Sequence, residues 1–447
     1  MRISGMMKKF FGLGALGLGA MLASSPVRAQ NRIYVSVGDP NFKKVLIAVE
    51  PTIKNHPATE EFFKTLVEDL EYTGYFEMLP AQKLPSNTGG LTIGSFSFNA
   101  FKALGVEFLV KSELRSNAGK VEAEVRLYDV NRGVQILGRL YPFVSKEGSA
   151  GRELAHFTAN DVMKTLTGED GIFRTRILMS CGNRTKEIYI MDFDGANVNK
   201  LTKDGNFALS PSWAPDGHRV LFTSYKPAAK GAFVNPNLYL LDLAANKRST
   251  LSAAKGLNTG GVFHPRENKI AYTFSQNGRP EIWVLDLDSN TRTKVTDTQF
   301  FTVEPDWSPD GTMMTYSSSR TGSPHIYVGP PTKAAQARRL TFAGVYNSSP
   351  KFSPDGKVIA FSGQENKLNN FNIFRVDVTG TNLVRLTAGA HSSENPVWSP
   401  DGRFLAFSSN IDGQYRIYVM SNLGTNIRVL SPKNLGNCKQ PAWSPRL

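Results

Sequence analysis

Apolar residues in the second half of the chain recur in short runs closed by polar turns, and the whole arrangement repeats at a nearly constant interval. The most regular piece reads Pro211-Ser-Trp-Ala-Pro-Asp-Gly217, Pro305-Asp-Trp-Ser-Pro-Asp-Gly311, Pro350-Lys-Phe-Ser-Pro-Asp-Gly356 and Pro396-Val-Trp-Ser-Pro-Asp-Gly402. Weaker copies stand at Gly261-Val-Phe-His-Pro-Arg266 and Pro441-Ala-Trp-Ser-Pro-Arg446. The second prolines fall at 215, 265, 309, 354, 400 and 445, and one insertion around 226–235 explains the long first interval. After each turn comes a run such as Lys357-Val-Ile-Ala-Phe-Ser362, whose lack of alternation predicts a strand buried on both faces. A third segment follows, as in Glu187-Ile-Tyr-Ile-Met-Asp192, and then a short fourth, as in Arg385-Leu-Thr387. Four short antiparallel strands per repeat of this length predict a propeller blade, and six copies predict a six-bladed β-propeller over residues 171–447.

The two ends of this array are complementary. The last copy has an inner strand and nothing after it, whereas Arg176-Ile-Leu-Met-Ser-Cys181 matches a second strand with no Pro-x-Trp segment before it. Pairing Pro441 to Pro445 with Arg176 to Cys181 closes the ring with a C-terminal strand and hides edges that would otherwise template aggregation. The chain holds two cysteines, Cys181 and Cys438. Cys438 aligns with Ser393 and Cys181 with Ser408, and a two-residue turn at Pro400-Asp401 would set those serines opposite each other, within disulfide reach. The pair is therefore either a disulfide that staples the closure or two buried thiols.

Residues 30–170 follow a different grammar. Alternating runs at Arg32 to Val37 and Lys44 to Val49 precede Phe62, Phe63, Leu66, Val67 and Leu70 at helical spacing. A short helix near Ala100 to Leu104, strands at 108–114, 121–130 and 135–144, and a helix from Arg152 to Leu166 complete a small two-layer α/β domain placed before the propeller. Ahead of it, Arg2, Lys8 and Lys9 lead into an apolar run from Phe10 to Ala23 and a Val27-Arg28-Ala29 cleavage pattern. Residues 1–29 thus read as a secretory signal peptide, and export admits disulfides.

The formal net charge is +14, of which the first 29 residues contribute +4. Export weakens a nucleic-acid reading, and no basic cluster interleaved with aromatics occurs. The remaining charge is either dispersed for solubility or suited to an acidic partner. Turn chemistry assigns Asp216, Asp310, Asp355 and Asp401 to capping their own turns, each on a different blade, so they make poor metal ligands. No Gly-x-Ser-x-Gly elbow occurs, and the six histidines lack ligand spacing. Among binding proteins, a propeller that takes a sugar or peptidoglycan remains an alternative to one that takes a protein.

Phe173-Arg-Thr-Arg-Ile177, Ala103-Leu-Gly-Val106 and the terminal Pro441-Ala-Trp-Ser-Pro-Arg-Leu447 resemble signatures of the TolB family, and the resemblance covers essentially the whole mature chain. It implies a non-enzymatic periplasmic hub of the Tol-Pal system, without cofactor or transmembrane segment, supporting outer-membrane integrity and cell division. It implies two protein partners. The lipoprotein Pal is expected at the propeller mouth, where the loops entering the inner strands supply Leu257, Asn258, Gly260, Val303, Glu304, Ser349, Glu394, Asn395 and Gln440. The family can carry a histidine where this chain has Leu257-Asn258, which changes the contact. TolA is expected on Asn31, Arg32, Ile33, Tyr34, Val35, Ser36 and Val37, a strand able to add to a partner sheet or to serve as an edge of its own domain.

Overall fold

The computed structural model describes residues 43–447, apart from 52–55, 86–88, 118–119, 144–149, 226–234, 277, 333–335 and 367–369. The leader at 1–29, the strand expected at 32–37 and most of the 226–235 insertion lie outside the described residues.

The α/β domain runs β1 (Val45–Pro51), α1 (Thr59–Tyr72), β2 (Phe76–Met78), α2 (Phe98–Lys102), β3 (Phe108–Asn117), β4 (Lys120–Asp129), β5 (Val134–Phe143) and α3 (Ala150–Thr167). Its sheet has the order β2-β1-β3-β4-β5, with β1 parallel to both neighbours and the rest antiparallel. Strand alternation sorts the core. Ile47, Val49, Val110 and Val125 pack under α1 and α3, while Ala48, Leu109 and Tyr128 face Phe101 of α2 on the other side. The three-residue β2 escapes sequence reading, because it is too short to display a period.

Six four-stranded antiparallel sheets follow. Their inner strands are Ala208–Trp213, Asn258–Phe263, Thr302–Trp307, Tyr346–Phe352 and Ser393–Trp398 in blades 2 to 6, and Cys438–Trp443 in blade 1. That last strand pairs with Arg176–Cys181, so the expected closure is present. Cys438 and Cys181 are direct partners and form a disulfide, S–S 2.08 Å. The register used to align them needs correction. Ser393 pairs with Ser409, and Ser408 pairs with Glu394. The turn spans more than two residues, since Ser399 donates its amide to the Phe404 carbonyl, and a bulge between Glu394 and Val397 shifts the ladder.

The repeated residues earn their places locally. Asp216, Asp310, Asp355 and Asp401 each accept backbone amides from the turn that follows. The hydrogen bond from the Ser308 hydroxyl, with those from Thr312, holds the Asp310 carboxyl down to about 2. Trp213 donates its indole N–H to the Ala442 carbonyl, and Trp398 to Lys351, each reaching the inner strand of the preceding blade at 3.1 Å.

The α/β domain sits on the face of the ring that carries the Pro-Asp-Gly turns. Leu66, Val162, Phe173, Phe193, Phe404 and Trp443 belong to one continuous buried cluster joining α1 and α3 to blades 1 and 6. Tyr72 is central to it, its ring 5.1 Å from Phe193 and 4.9 Å from Phe404, with the Arg428 guanidinium 3.2 Å over its face. Among the described residues, no helix is long and apolar enough to cross a membrane.

Candidate binding mouth of the propeller

On the opposite face, each inner strand begins with a bulge. At the bulge one residue adopts a left-handed backbone: Ser210, Gly260, Glu304, Ser349, Asn395 and Gln440, with φ between 51° and 63°. Only one of the six is glycine. For the others this conformation costs on the order of 1 kcal/mol each and persists only where the surroundings enforce it.

A belt of hydrogen bonds does the enforcing. The Glu304 carboxylate accepts the Ser349 amide at 2.7 Å and its hydroxyl at 3.1 Å. Asn395 Nδ2 donates to Ser349 Oγ at 3.2 Å, and the Asn395 amide donates to Ser362 Oγ at 2.9 Å. Ser408 Oγ receives the Gln440 amide at 3.0 Å and donates onward to Asn395 Oδ1 at 3.4 Å. Gln440 Oε1 accepts the Ser210 amide at 2.8 Å. Side chains of strained residues thus tie blade 4 to 5, 5 to 6 and 1 to 2, and Ser408 carries the tie from blade 6 to blade 1. Gly260 has no side chain to contribute; Thr223 and Thr259 bridge blades 2 and 3 at 2.9 Å, and the Glu304 amide donates to Thr273 Oγ1 at 3.3 Å between blades 4 and 3.

These residues line the axial cavity, about 100 Å³, together with the prolines that follow them. Of the expected mouth residues, Gly260, Glu304, Ser349, Asn395 and Gln440 come together there. Glu394 lies beside them, accepting the Tyr415 hydroxyl at 2.6 Å and Lys439 Nζ at 3.2 Å. Burial, and secondarily this carboxylate, push the Tyr415 phenol up to about 12. Val303 faces a separate shallow pocket shared with Phe301, Pro324 and Tyr346. Leu257 is half-buried, its amide on Ser275 Oγ at 2.8 Å. Asn258 is a correction: it is fully buried, donating to the carbonyls of Ala254, Gly256 and Pro236, so it shapes its loop from inside instead of meeting a partner. Asn31 to Val37 lie outside the described residues.

Sequence reasoning missed the aromatic rim. Phe300, Phe301 and Phe342 are 46 %, 59 % and 75 % exposed on this face, with Tyr346 beside them at 38 %. The adjacent Phe300-Phe301 pair in a polar connection was the available signal.

A polar cavity ringed by strained backbone and edged with exposed aromatics is the open mouth of a six-bladed propeller that carries an α/β domain on its far face. Residues 163–447 match the family model of the TolB beta propeller domain, and residues 33–136 that of the TolB amino-terminal domain. The chain belongs to the TolB family. It is 34% identical over 258 residues to the Tol-Pal system protein TolB of Desulfosudis oleivorans, covering 55% of this chain and 56% of that protein. For the protein of the same name from Anaeromyxobacter dehalogenans the identity is 32% over 269 residues, covering 59% and 60%. These alignments span little more than half the length of the curated relatives. Among solved structures, TolB from Acinetobacter baumannii superposes with a TM-score of 0.76 at 27% identity, covering 90% of this chain and 97% of that one.

Proposed function

We propose that this chain is a non-catalytic periplasmic scaffold of the Tol-Pal complex. In this reading residues 1–29 are the export signal, residues 30–170 the α/β domain and residues 171–447 the propeller. Pal docks at the mouth through Leu257, Gly260, Val303, Glu304, Ser349, Glu394, Asn395 and Gln440, and TolA engages Asn31 to Val37. The assembly supports outer-membrane integrity and cell division, with the chain held at the outer membrane through Pal.

The observation that carries this reading is the ring of six left-handed residues at the mouth, five of them held by side-chain hydrogen bonds from the neighbouring blade. Strain of this kind concentrates where a surface is preorganised for a ligand. The relatives named for the Tol-Pal system supply the identity of the complex. The test is binding of the periplasmic domain of Pal to the wild type and to Glu304→Ala. Affinity is expected to fall at least tenfold, about 1.4 kcal/mol, while removal of residues 30–37 abolishes TolA binding and spares Pal. Undiminished Pal affinity in Glu304→Ala, with the variant folded, removes the mouth from the proposal.

A further inference from the structure

Buried and partly buried titratable groups from both domains meet where α1 and α3 touch the turn after the third strand of blade 1, Glu187–Asp192. Asp69 comes from α1, His156 and Arg152 from α3, and Asp192 and Asp194 from the blade. Asp69 and His156 are 2 % and 3 % exposed, and His156 Nδ1 lies 2.7 Å from Asp69 Oδ2. One oxygen each of Asp69 and Asp194 and one ring nitrogen of His156 lie within 4.8 Å of one another. Arg152 binds the Asp194 carboxylate and approaches Asp192 at 3.6 Å. Half-exposed Arg176 stands 3.8 Å from Asp192 on the solvent side. From blade 6, Arg428 and Asp401 act on neighbouring Tyr72 and complete the charged groups around the site.

Three carboxylates here face one partly buried guanidinium, that of Arg152. With Arg176 counted at the rim, a proton on the Asp69–His156 pair brings the three carboxylates to charge balance. Without it, the Asp69 and Asp194 carboxylates oppose each other across the domain boundary in a region of low dielectric, where like charges repel strongly. A metal ion is a poorer occupant than a proton, because Asp69 and His156 already touch at hydrogen-bond distance and Arg152 already holds Asp194.

We propose that a proton shared by Asp69 and His156 latches the α/β domain onto blade 1, so that the two domains close in mildly acidic conditions and loosen as the pH rises. Burial raises the Asp69 carboxyl to about 6, against the opposing pull of His156. For His156, burial disfavours the imidazolium, but the hydrogen bond and charge of Asp69 outweigh it and the net shift is upward. Both shifts have one sign: the folded pair keeps a proton that the unfolded chain releases. Its contribution to stability is full below the ordinary carboxyl value and is lost as the pH climbs through about 6 and past the ordinary histidine range. The latch is distinct from either docking site, and it gives the junction between them a dependence on ambient pH.

The full chain is tested by thermal unfolding and small-angle scattering from pH 5.5 to 8.5, with Asp194→Asn and His156→Gln alongside. The wild-type midpoint is expected to drop by roughly 3–6 °C with an increase in radius of gyration. In Asp194→Asn, which removes the opposing charge and keeps the shape, both responses flatten. Should His156→Gln fail to fold, the Asp194→Asn comparison decides alone. A wild type with no pH response, or Asp194→Asn with the wild-type slope, overturns the latch. So does a zinc-induced rise in the wild-type midpoint that is absent from His156→Gln, which would make the site a metal centre.

Discussion

The two faces of the propeller are built from the same repeat and put to opposite uses. On the face toward the α/β domain, turns are capped by their own aspartates, and at blades 1 and 6 the surface disappears into a continuous core around Tyr72 and Phe404. On the mouth face, strained residues are held by side chains from neighbouring blades, and large aromatic rings remain in solvent. A repeat fixes where each kind of residue recurs. Which face carries unspent apolar surface is set by the connections between blades, where the copies differ most, and exposed aromatic surface of this kind marks interaction sites.

Three substitutions break or sharpen this contrast. The largest effect is expected from Tyr72→Ala, which empties the packed junction and leaves Arg428 without its ring. A loss of about 4 kcal/mol, read by urea unfolding, should come with little change at the mouth. Next is the double change Cys181→Ser with Cys438→Ser, which frees the mouth end of the closing strand. Loss of the bridge should cost about 3 kcal/mol, the middle of the range usual for a native bridge, measured against the oxidised wild type. The smallest is Asn395→Gly. Relief of left-handed strain offsets the lost bonds to Ser349 and Ser408, so stability should move by less than about 1 kcal/mol while Pal affinity falls. A large stability loss there would mean that the belt serves the fold first and binding second.

The propeller was legible because a turn motif with fixed spacing is a local signal repeated six times. The pairing of Arg176 to Cys181 with the last strand was legible as a matching pair of defects. Its exact register was not, since the left-handed bulge at Asn395 depends on the Ser362 and Ser349 side chains of the neighbouring blade. Asn258 looked like a contact residue because it sits at the head of an inner strand, and only the surrounding carbonyls reveal that it points inward. The Asp69–His156–Asp194 cluster had no sequence signal at all: its members lie on a helix, a second helix and a blade turn that tertiary packing alone brings together.

The closing strand has a temporal consequence. The edge of Arg176–Cys181 must wait for partners made more than two hundred and fifty residues later, so blade 1 cannot be completed until Cys438–Trp443 has been synthesised. Contacts of such sequence separation form slowly, and the ring must therefore assemble late and nearly all at once. A toroid whose first and last strands need each other stays pliable until the last of them is made.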